Sequence, residues 1–112
     1  MITSIALLTA RPGMSRDQFI DYYEHHHVPL ILSVAPAPAA YSRSYLPTLD
    51  ERSSDADFDV MTRLQFEDRA TRDKWIAAVY APGSGVAEDE ARFLDRTRTR
   101  SWIIEEWETT HE

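Results

Sequence analysis

Apolar and polar positions alternate most sharply between Phe58 and Phe66. Phe58, Val60, Thr62, Leu64 and Phe66 fall on one side, and Asp59, Met61, Arg63 and Gln65 on the other. A period of two predicts a strand whose apolar side takes the helices. Three weaker stretches follow the same logic. Ile2 to Thr9 is a short apolar, β-branched run stopped by the turn signal Arg11-Pro12-Gly13. Ala39 to Leu46 sets Tyr41, Arg43 and Tyr45 against Ser42, Ser44 and Leu46, so polar groups on both sides leave one face free to line a wet cavity. Arg98 to Trp107, carrying Trp102, Ile103 and Ile104, predicts the last strand.

Between these runs the period becomes helical. Ser15 followed by Gln18 is a capping-box pattern. Phe19, Tyr23 and His27 then recur at i, i+4 and i+8, and Ile20 and Leu30 complete an apolar stripe. Proline pushes the residue before it towards extended conformations, so Pro29 predicts that the helix stops short of Val28. His27 is then expected in a frayed last turn, half in the core and half at a mouth. A linker is expected over Val34 to Pro38, and an exposed loop over Leu49 to Asp57. A second long helix should start at Asp68, align Arg72, Trp75, Ile76 and Val79, and end near Ala81-Pro82-Gly83. Ala87 to Arg96 suits a shorter helix with Glu88 and Asp89 near its N-terminus, and Thr109 to Glu112 a frayed tail.

Strand, helix, strand, strand, helix, strand is the α+β order of the ferredoxin-like split βαβ fold. Such a fold has a four-stranded antiparallel sheet with two long helices on one face. The other face is left bare with Trp and Met among its candidate residues, which predicts a homodimer in which two sheets meet.

A chain of 112 residues is expected to be one domain, 1–112, because smaller pieces could not bury a core. Its formal charge of −7 argues against nucleic acid or an anionic membrane as partner and for a small neutral or weakly charged ligand. No cysteine is present, which removes disulfides, thiolate catalysis and thiolate metal sites. The N-terminus lacks a charged leader and no apolar run approaches the roughly 20 residues of a membrane span, so a cytoplasmic location is the default expectation.

The chemistry-bearing groups concentrate between Ser15 and Leu30. Each residue turns about 100° around a helix, so His25, His26 and His27 diverge. Only His27 falls on the Phe19/Tyr23 stripe. Adjacent histidines on a helix are poor metal ligands, and no HExxH motif accompanies them, so no metal is expected. Neither a G-x-G-x-x-G, a Walker loop nor a G-x-S-x-G elbow is present, and no cofactor is expected. His27 suits general acid/base work, because imidazole changes charge near neutrality; a helix-end histidine bonding a carbonyl is the plainer alternative. Tyr23 and Tyr41 offer hydroxyls to a phenolic or keto substrate, or simply pack, as Tyr45 is expected to. Trp75 reads as core or as one wall of a cavity. Asp89 reads as a partner for a histidine or arginine, or as an ordinary acidic helix start.

Four pieces of sequence resemble an EthD-type domain of the dimeric α+β barrel superfamily. They are Arg11-Pro12-Gly13-Met14-Ser15 with Phe19 and Tyr23; His27-Val28-Pro29-Leu30; Asp57-Phe58-Asp59-Val60 running to Phe66; and Asp89-Glu90 with Phe93, Leu94 and Asp95. The resemblance implies the ferredoxin-like dimer and carries the family histidine over to His27; His25 and His26 have no counterpart. Similar domains include polyketide dehydratases and cyclases, cofactor-free monooxygenases and members with no known reaction. An accessory or ligand-binding protein in ether or xenobiotic degradation is thus a further expectation, and a small hydrophobic or aromatic molecule the expected ligand.

Overall fold

A computed structural model of the chain describes residues 1–47 and 58–110. In order along the chain come β1 (Ile2–Leu8), α1 (Arg16–Tyr22), a π-helical turn (Tyr23–His27), α2 (Val28–Val34), β2 (Ala40–Tyr45) and β3 (Val60–Phe66). They are followed by α3 (Arg69–Val79), α4 (Val86–Phe93), a 3-10 turn (Arg96–Arg98) and β4 (Arg100–Ile104). The strands form one antiparallel sheet in the order β2-β3-β1-β4, the ferredoxin-like arrangement. The loop expected over Leu49–Asp57 lies outside the described residues.

Ser15 caps α1 as its sequence predicts. Its hydroxyl accepts from the Gln18 backbone N–H at 3.1 Å, and the Gln18 side chain accepts from the Ser15 N–H at 2.9 Å. The end of this helix differs from expectation. It does not stop before Val28: helical backbone continues through Pro29 to Val34. Between the two α-helical parts the Val28 N–H bonds the Tyr23 carbonyl, five residues back, in a single wide turn. A proline inside a regular helix collides with the carbonyl one turn earlier. The wide turn immediately before Pro29 accommodates the ring, and Pro29 then occupies the first turn of α2, where a missing N–H costs little.

That wide turn also explains a spacing. Phe19, Tyr23, His27, Ile31 and Ala35 are all buried, each four residues after the last. In a straight α-helix every such step overshoots by ~40°, so Ala35 would lie ~160° away from Phe19. A turn closed five residues apart takes up part of this drift and keeps the series facing inward. His27 is consequently mid-helix and 5% exposed, not at a frayed end.

The inward side of the sheet carries Ala6 and Leu8 of β1 beside Thr62 and Val60 of β3. Leu8, Phe19, Tyr23, Val60, Phe93 and Leu94 form one buried cluster, and Ile31, Ala35, Val79 and Val86 a second under α3 and α4. Backbone bonds fasten the end of α4 to the strand layer: Arg11 N–H to the Phe93 carbonyl at 2.9 Å and Asp95 N–H to the Thr9 carbonyl at 2.8 Å. This clasp brings α4 against the π turn. On the opposite side of the sheet lie Ile5, Leu7, Met61 and Trp102, the last paired across from Ile5 and 51% exposed.

Candidate functional site

Between the helices and the inward side of the sheet lies a cavity of about 360 Å³, within the range of small-molecule sites. Ala6, Leu64, Ile31 and Val79 give it apolar walls, and His27, Tyr23, Tyr41 and Glu90 supply polar groups. Of the residues singled out from sequence, His27, Tyr23, Tyr41 and Trp75 line it. Asp89 lies behind them, buried against His27.

His27 Nδ1 is 2.8 Å from Asp89 Oδ2, both side chains being almost fully buried. A carboxylate only accepts hydrogen bonds, so Nδ1 carries a proton, and in the neutral ring Nε2 is the nitrogen with the lone pair. Nε2 bonds nothing among the described residues. The His27 ring is held edge-on by Tyr23 at 5.6 Å and at a tilt by Phe93 at 4.7 Å between centroids. This geometry suits an oriented base: one nitrogen fixed, the other without a partner among the described residues.

Tyr23 and Thr62 share a hydrogen bond of 2.6 Å, and the Tyr41 hydroxyl donates to that of Tyr23 at 3.5 Å. Burial raises the pKa of Tyr23 above the ordinary phenol value, opposed by the Thr62 and Tyr41 hydrogen bonds. Burial likewise pushes Tyr41 up, with Tyr23 adding to the effect. Both phenols therefore stay protonated at neutral pH and act as donors, not bases. At another part of the wall Tyr80 donates to Glu90 at 2.8 Å, with Arg96 Nε 3.9 Å from the same carboxylate.

Two further placements matter. Tyr45, expected to pack, does so against Phe19 and Tyr23, and its hydroxyl also donates to Glu24. Arg43 grips the same Glu24 carboxylate with bonds of 2.7 and 2.8 Å, tying β2 to the π turn. Trp75 packs on Phe66 at 5.4 Å as well as lining the cavity. Its Nε1 has no partner among the described residues, and other atoms cover it, so a ligand in the cavity does not reach it. No three His, Asp or Glu side chains among the described residues converge as a metal site.

Sequence patterning passes over Tyr22, Thr62 and Glu90 as site residues. Tyr22 donates to Asp89 Oδ1 at 2.6 Å. The available signal is a repeat, because Tyr22 and His26 stand four apart as Tyr23 and His27 do, and each pair is in ring contact. His25 faces solvent near Asp21.

The EthD domain model matches residues 11–97, which takes in the π turn, strands β2 and β3, and α4. The chain belongs to the EthD family. Solved structures agree on the fold of this EthD domain. An EthD family protein from Bacillus halodurans shares 18% identity, with a TM-score of 0.65 over 96% of this chain and 100% of that one. At3g17210 from Arabidopsis thaliana shares 11%, with a TM-score of 0.67 over 99% and 100%. HapK from Hahella chejuensis shares 11%, with a TM-score of 0.64 over 100% and 98%. No curated protein matches the sequence. No helix among the described residues is long and apolar enough to cross a membrane.

Proposed function

We propose that this EthD protein is a cofactor-independent acid/base enzyme of dehydratase or cyclase type, acting on a small hydrophobic substrate that is oxygenated or aromatic. One observation carries the reading: a histidine with Nδ1 held by a buried carboxylate and Nε2 without a partner among the described residues, in the wall of a mainly apolar cavity that also presents phenol donors. In this reading His27 Nε2 takes a proton from the carbon beside a substrate carbonyl, while Tyr41 or Tyr23 donates to the developing enolate oxygen. In dehydration the imidazolium returns that proton to the departing hydroxyl, which leaves as water. Atoms balance without oxidant or reductant.

The test is a panel of aromatic β-hydroxy ketones and linear poly-β-keto thioesters, followed by mass spectrometry for loss of water. His27→Ala should lower turnover of an accepted compound at least ~100-fold while binding persists. Undiminished turnover would sink the mechanism. Saturable binding with no product from any compound would favour a ligand carrier, and oxygen uptake with substrate a cofactor-free monooxygenase.

The same reading includes a homodimer. Ile5, Leu7, Met61 and Trp102 lie on the sheet side away from the helices, an apolar surface of the kind that a second copy covers.

A further inference from the structure

Tyr22 comes one residue before Tyr23 of the inward stripe and does not line the cavity. It lines a shallow surface groove with Gln18 and Arg92. Its ring is clamped, stacked on His26 at 4.9 Å and 25° and packed on Phe93 at 5.2 Å. Its hydroxyl donates to Asp89 Oδ1 at 2.6 Å, while His27 Nδ1 holds Asp89 Oδ2 at 2.8 Å. Arg92 Nη1 stands 3.7 Å from Oδ1, too far for a close hydrogen bond.

A carboxylate bonded through one oxygen still turns about its Cβ–Cγ bond, and turning it away from Nδ1 removes the preference for one imidazole tautomer. A second short bond on the other oxygen fixes its plane. Tyr22 remains the donor in that bond, because a carboxylate oxygen can only accept, and burial and the neighbouring Asp89 raise the phenol pKa against the opposing pull of Arg92. The clamp of His26 and Phe93 fixes the direction from which the hydroxyl arrives.

We propose that Tyr22 is a positioning residue that acts through Asp89, its hydroxyl locking the carboxylate so that His27 is kept as the Nδ1–H tautomer with the Nε2 lone pair towards the cavity. The proposal rests on the reading of His27 as the acid/base group. It also gives His26 a place, as the outer half of the clamp.

The tautomer can be read without any substrate, from the imidazole nitrogen shifts of ligand-free, nitrogen-15-labelled protein. Tyr22→Phe keeps the ring and both ring contacts and removes only the hydroxyl. The Nε2–H form of His27 should rise roughly 10-fold, the worth of one hydrogen bond to a charged acceptor, with backbone spectra otherwise unchanged. Asp89→Asn, which can turn an N–H towards Nδ1, should move the tautomer further. A His27 tautomer population that is the same in Tyr22→Phe and unaltered protein would overturn the proposal. Should Tyr22→Phe fold poorly, the unaltered protein decides: a slowly exchanging Tyr22 hydroxyl proton close to Asp89 supports the lock, and a rapidly exchanging one refutes it. Failure here differs from failure of the functional reading. His27→Ala with full turnover would remove the acid/base role and leave the tautomer result standing.

Discussion

Glu24 sits where a single side chain joins the helix layer to an edge strand. The Arg43 hydrogen bonds are the largest influence on it and hold its carboxyl below the ordinary glutamate range; burial opposes them and the Tyr45 hydroxyl adds to them. A carboxyl whose folded pKa is depressed stabilises the fold above its unfolded pKa, and that stabilisation disappears as pH falls through the folded value. Thermal melting of the unaltered protein should therefore fall steeply below roughly pH 4, whereas Glu24→Gln should melt lower at pH 7 and lose less on acidification. Parallel melting curves for the two across this range would show that the ion pair contributes nothing. The tyrosines behave in the opposite sense. Raised phenol pKa values leave Tyr23 and Tyr41 neutral donors throughout the neutral range, so any ionisation that governs activity near neutrality belongs to another group.

At the scale of elements, the wide turn of Tyr23–His27 and Pro29 form a matched pair. Deleting exposed His25 would convert the buried series to spacings of four, three, four and four, which suits an ordinary amphipathic helix. It would also bring the Pro29 ring against a regular helix carbonyl. The deletion alone should cost ~3 kcal/mol, and combination with Pro29→Ala should recover most of it. Denaturant midpoints of the four proteins in this cycle measure the coupling; additive effects would separate the turn from the proline. The same pair shows what the sequence discloses. Ser15 and Gln18 declare a helix start, and Phe58 to Phe66 declares a strand, because each feature acts over a few neighbouring residues. The rule that proline ends helices is equally local, yet here a wide turn overrides it. A strict repeat of four from Phe19 to Ala35 was the available sign, since no straight α-helix keeps that repeat on one side. His27 and Asp89 are 62 positions apart. Nothing local to α4 distinguishes an acid buried against a histidine from one that merely suits a helix start, and the backbone clasp at Phe93 and Asp95 makes the difference.

For the molecule as a whole, the sheet face away from the helices gives the homodimer its test. Trp102 stands there half exposed, opposite Ile5. If two copies meet on this face, Trp102→Asp should weaken association by at least ~30-fold in Kd, the scale of a buried aromatic anchor. Sedimentation over a concentration series measures it, and a single-chain mass for the unaltered protein at micromolar concentration would dispose of the dimer. A last consequence concerns how such a pocket changes over evolutionary time. Phe93 is fully buried and its ring touches Phe19, Tyr22, Tyr23 and His27 at once. Any mutation that gains ligand space there also loosens the core and disturbs the histidine. Ala6, Leu64 and Ser101, on the strand side, carry no such double duty. Lineages that acquire new ligands should therefore vary along the sheet and keep the aromatic centre, and an engineer seeking a larger cavity should begin at Leu64.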